Sequence, residues 1–114
     1  MAIKRLEVDE IIMLIKARKT FEATAADGSF SIKINRYLPY CCTAIHDGSN
    51  LRSDLRKKMA LDEYARWYEE DPFTGAFIAS MPITLVGHDS RFEYDLNRSP
   101  ETAVYKEAWG KNVW

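Results

Sequence analysis

Three short stretches of the chain carry residue types that do chemistry. "HDGS" (46–49) sets a histidine, a carboxylate and a glycine directly after the apolar run "YCCTAI" (40–45). Imidazole at a strand end can bind a metal through a neutral nitrogen. Open α/β sheets place their ligands beyond the carboxyl ends of strands. The plainer reading of His46 is a histidine in a turn, since Asp-Gly is good turn chemistry. "YEED" (68–71) crowds three acids ahead of Pro72. A solvated helix end accounts for such a run. The chemical alternative is a metal-ligating carboxylate, because like charges crowded together cost free energy unless a cation offsets them. "SRFEYDLNRSP" (90–100) ends on Asp95, Asn97 and Arg98. An arginine fork presents paired donors to a carboxylate, and an asparagine beside it adds a donor or an acceptor. Arg91, Asn97 and Arg98 are therefore candidates for a carboxylate clamp. The competing arrangement is a salt-bridged strand end, with Arg98 paired to Asp95 or Glu101.

The elements that would position these groups follow from periodicity. Residues 7–19 place Val8, Ile11, Ile12 and Ile15 on one helical face, with acids early and bases late. "ADGS" (26–29) is a turn, and residues 30–37 alternate as a strand. The run at 40–45 reads as a strand buried on both faces of a sheet. Helices are expected over 51–59 and 62–69, the second capped by Asp62. Asp71-Pro72 reads as the opening of a third short helix, through Ala79. Residues 83–87 and 90–96 read as a hairpin about His88-Asp89, with His88 exposed at its tip. Ser99-Pro100 reads as the cap of a last helix through Trp109, ended by Gly110. The expected fold is α/β: a mixed sheet of about four strands flanked by short helices.

Bulk properties narrow the function. The chain has 114 residues, 46% hydrophobic and 29% charged, with a net charge of −1. One domain over 1–114 is the expectation. Without a basic tract, nucleic acid is an unsuitable partner. No apolar run approaches the ~20 residues that cross a bilayer, and "MAIKRLEVDE" has no secretory apolar core. The adjacent Cys41 and Cys42 read as small buried residues of a reducing compartment rather than a metal clip. A cytoplasmic location is the expectation.

Taken together, the segments resemble the N-formylglutamate amidohydrolase family from about Tyr37 to Trp114. "HDG" (46–48) is similar to that family's strand-end "HSG", "EED" (69–71) to its acid pair, and "SRFEYDLNR" (90–98) to its arginine strand ending in Asp-x-Asn-Arg. The last block also resembles the zinc carboxypeptidase and aspartoacylase relatives. The resemblance implies a zinc-dependent amidohydrolase on a phosphorylase/hydrolase-like, exopeptidase-like α/β fold, acting on the amide of an N-acylated acidic amino acid. It makes His46 the first zinc ligand and Glu70 the second, with Asp71 the competing choice. Asn97 and Arg98, with Arg91 nearby, would hold the substrate carboxylate. Two departures stand out. The third residue after His46 is Ser49, where carboxypeptidase-type relatives have glutamate. The family also supplies a zinc histidine beyond its Asn-Arg segment, and none follows Arg98 here. The expectation is the N-terminal portion of such a domain, weakly active or inactive alone, whose missing C-terminal portion or a second copy covers apolar surface around Trp109 and Trp114. The alternative is a non-catalytic carboxylate-binding or protein-interaction module.

Overall fold

A computed structural model describes residues 3–108 and 111–114. The chain opens with β1 (Lys4–Leu6), α1 (Val8–Lys16) and β2 (Phe21–Ala25), and β1 lies parallel to β2. In α1, Asp9 and Glu10 occupy the first turn and Lys16 the last, as the helix dipole favours. The Glu10 side chain accepts the Glu7 backbone N–H, satisfying a donor that the helix leaves free. The 26–29 turn reverses the chain into β3 (Phe30–Ile34), antiparallel to β2. Gly28 takes φ +79° there, a conformation that disfavours side chains.

β4 (Cys42–Ala44), the short helices α2 (Ser53–Lys58), α3 (Glu63–Glu69) and α4 (Thr74–Ile78), and β5 (Ile83–Gly87) follow. β5 is antiparallel to β3 and parallel to β4, which gives a five-stranded mixed sheet of order β1-β2-β3-β5-β4. A short hairpin of β6 (Glu107–Ala108) and β7 (Lys111–Asn112) closes the described chain. The mixed α/β class with short helices is what the sequence leads one to expect, with one strand more. Ile11, Phe21, Ala23 and Ile34 form the core beneath α1. A second apolar cluster, Phe92, Tyr105 and Val113, packs with Met59, Leu61 and Trp114.

Five local expectations are corrected. β4 is an edge strand with Cys41 and Thr43 exposed and Cys42 half-buried, so it is not buried on both faces as its apolar sequence leads one to expect. Residues 90–96 are not a strand. Ser90 and Asp95 are buried while Leu96 is 58% exposed, so the alternation of apolar residues does not sort two faces. Instead the Ser90 carbonyl accepts the Glu93 N–H at 3.0 Å and its hydroxyl accepts the Phe92 N–H at 3.2 Å, which winds the segment into turns. His88 is accordingly not at a hairpin tip: it is half-buried, its Nε2 2.6 Å from the Ser31 hydroxyl. α4 starts at Thr74 rather than Pro72, after Phe73 at φ +68°, and the Thr74 hydroxyl donates to the Asp71 carbonyl. Beyond Ser99 the chain turns and enters β6 instead of a helix. The expected helix end at Trp109 and Gly110 lies outside the described residues.

Candidate functional site

β4 delivers His46 to the carboxyl end of the sheet. Gly48 lets the following turn lie flush on the next segment, since a Cβ there would sit 2.1 Å from the His88 carbonyl carbon. This close approach gives the glycine of "HDG" a structural reason. Asn50 and Asp89 continue the contact as a parallel bridge, bringing the 46–50 and 88–95 segments side by side.

His46 is buried between two carboxylates. Its Nε2 is 2.7 Å from Asp95 Oδ1, and its Nδ1 is 3.4 Å from Asp71 Oδ2. Asp95 is the hub. Besides His46, it accepts the Asn97 backbone N–H at 2.8 Å, the Tyr105 hydroxyl, and a weaker 3.4 Å contact from Arg91. Burial alone would push the Asp95 carboxyl up. The Asn97 N–H, His46 and Arg91 outweigh it and hold the group below the usual carboxylate range. Arg91 also donates to the Glu69 carbonyl at 3.0 Å and stands 3.7 Å from Asp71. The exposed Arg98 guanidinium lies 4.2 Å from the centre of the Tyr105 ring, within cation–π range. Among the described residues it pairs with neither Asp95 nor Glu101. Asn97 serves the site through its backbone; its side chain is exposed.

Of the two acids proposed beside His46, the neighbour is Asp71. Glu70 belongs to a different set: it is 1% exposed, accepts from Arg66 at 2.9 Å and from the Ser90 hydroxyl through Oε2, and leaves Oε1 without a hydrogen-bond partner. Burial raises the Glu70 pKa despite those partners. Arg66 is held in turn by the Ser49 carbonyl at 2.8 Å and by Glu63 at 3.3 Å. Successive residues of an extended segment point to opposite sides, and Glu70, the extended C-cap of α3, precedes Asp71 directly. This separates the two acids. Sequence reasoning missed Asp95 as the partner of His46 and Tyr105 as a partner of Asp95. The Asp-x-Asn turn, in which Asp95 accepts the N–H two residues on, is a readable signal for the first.

The donor chemistry of His46 Nδ1 and Asp71 suits zinc, which takes both nitrogen and carboxylate ligands. Asp95 addresses the opposite ring nitrogen, so the three groups do not converge on one point. Among the described residues no group of three or more His, Cys, Asp and Glu side chains is arranged to hold a metal ion. No family model, curated protein or solved structure matches the chain.

Proposed function

We propose that the chain is an N-formylglutamate-amidohydrolase-like zinc hydrolase domain, directed at the amide of an N-acylated acidic amino acid and weakly active on its own. The observation that carries this reading is convergence. Segments far apart in sequence supply His46, Asp71, Arg91 and Asp95 to one network at the end of β4. His46 and Asp71 would hold the zinc, whose chemistry is to polarise a carbonyl and lower the pKa of bound water to roughly 7. Asp95, ionised at neutral pH, accepts a hydrogen bond from the His46 Nε2–H and so fixes the tautomer that turns the Nδ1 lone pair toward Asp71. Tyr105 and the Asn97 N–H keep that carboxylate in place. Arg91 balances the charge of Asp71 and Asp95 at the rim. Arg98, exposed and steadied by the Tyr105 ring, would receive the substrate carboxylate. Catalytic zinc takes three protein ligands, and with two the ion is held weakly, which is why little turnover is expected.

The test is zinc titration by calorimetry beside a formylglutamate hydrolysis assay. Weak binding at one site, lost in both His46→Ala and Asp71→Ala and kept in Glu70→Gln, is the expected result. Zinc binding indifferent to His46→Ala overturns the assignment. Should zinc not bind while glutamate-like carboxylates do, in a manner dependent on Arg98, the non-catalytic carboxylate-binding module takes its place. The observation favouring that second reading is an exposed guanidinium with no acid partner among the described residues.

A further inference from the structure

A separate cavity of about 300 Å³ opens beside the network, lined by Asp47, Ser49, Trp67, Glu70 and Phe73 among others. Its volume is at the small end of ligand pockets. Its chemistry differs from that of the carboxylate clamp. The Asp47 carboxylate accepts the Gly75 N–H at 3.1 Å, and no cation pairs with it among the described residues. Glu70 brings a second carboxylate, whose Oε1 is buried without a partner. Arg66 offsets Glu70, so Asp47 leaves the cavity with an unbalanced negative charge. An unmade hydrogen bond at a buried carboxylate oxygen is costly, so Glu70 adds negative potential behind the cavity wall. Trp67 and Phe73 meet edge to face at 6.3 Å, and both remain largely exposed, at 43% and 67%. Phe73 stands in the left-handed region, at φ +68°, which a bulky residue rarely adopts. Aromatic faces beside a carboxylate suit one kind of guest, a cation on an aliphatic stem.

We propose that this cavity binds an aliphatic ammonium group, carried by a free amine or by the lysine side chain of a peptide. The ammonium donates to the Asp47 carboxylate, with the Glu70 carboxylate behind it, and its stem lies against Trp67 and Phe73. The proposal is independent of zinc, because its acceptor and its charge are on a different set of atoms from His46 Nδ1 and Asp71.

The experiment is a two-dimensional NMR titration of the whole chain, in the presence of EDTA, with n-butylammonium chloride and with n-butanol as the neutral isostere. Saturable shifts at Asp47, Trp67 and Phe73, with the amine bound about tenfold tighter than the alcohol, support it. Asp47→Asn keeps the acceptor for Gly75 and removes the charge, and it should abolish the preference for the amine. Trp67→Leu should weaken binding of the amine. A lysine tetrapeptide beside its Nζ-acetylated form separates the sources: tighter binding of the lysine peptide than of butylammonium assigns a peptide, and the reverse assigns a free amine. Equal affinity for butanol, shifts confined to other residues, or no saturation overturns the proposal. A parallel titration without EDTA, in which equimolar CaCl2 abolishes the shifts, would make the cavity a metal site and overturn it too.

Discussion

The two halves of the molecule are held together by different means. Under α1 the core is apolar: Ile11, Phe21, Ala23 and Ile34 meet across β2 and β3, and regular strands supply the backbone hydrogen bonds. In the half that carries the candidate site, charged and polar groups are buried beside the Phe92, Tyr105 and Val113 cluster. His46, Arg66, Glu70, Ser90 and Asp95 lie inside, and much of the surrounding chain is turns. A hydrophobic core tolerates loss of one side chain in proportion to the volume removed. A buried polar network behaves otherwise, because removing one member strands the rest without partners or water. The first half should therefore fail gradually and the second abruptly.

The largest expected effect comes from the hub of the network. Asp95→Ala leaves His46, Arg91 and Tyr105 facing an empty position and should destabilise the chain by about 3–5 kcal/mol at neutral pH. Chemical denaturation across pH checks the cause as well as the size. The Asp95 carboxyl is held below its ordinary value of 3.8 in the folded chain. Its ionic contribution is thus full above that ordinary value and fades as pH falls through the depressed one. The gap between wild type and Asp95→Ala should narrow in acid. A gap independent of pH would mean that Asp95 acts only by filling space.

Ile11→Ala provides the counterpart from the apolar half. It should cost about 2–5 kcal/mol, as truncation of a buried aliphatic side chain does, with no change between pH 7 and pH 4. Unfolding that leaves the Phe92–Tyr105 cluster intact, seen as a separate transition, would divide the molecule into two cooperative units. A single transition makes it one.

The same division explains what could be read from the sequence. The apolar half was partly legible because its elements bury one face: α1, β3 and the 26–29 turn follow from periodicity and from Gly28, whereas β1 and β2 did not announce themselves. Even there the predicted helical stripe is narrower than expected, since Ile11 is buried while Val8 and Ile12 stay largely exposed. In the other half the organising groups are polar, and polar residues in sequence announce surface. Phe92, Tyr94 and Leu96 imitate a strand, yet the conformation is set by Ser90 and Asp95 between them. His46 was legible as a strand-end residue. Its partner Asp95 was not, because 49 residues separate the two and only the folded chain brings them together. Glu70 and Asp71 share their local sequence, so composition cannot tell which of them faces His46.

Arg98 gives the smallest expected change in stability and the sharpest contrast with Asp95, only three residues away. Its guanidinium is exposed and rests on the Tyr105 ring, a contact worth about 0.5–1 kcal/mol at such a site. Arg98→Ala should therefore lower stability by no more than that, with no change in the acid dependence that Asp95 sets. Binding should respond differently. If Arg98 receives a carboxylate, losing one charge-assisted contact should weaken glutamate-like ligands by about 1.5–3 kcal/mol, read by calorimetry with N-formylglutamate and with its neutral diamide analogue. Affinity for the diamide should be unchanged by the substitution. A variant that loses stability like Asp95→Ala, or that binds both ligands as wild type does, would move Arg98 out of the site and into the packing of Tyr105.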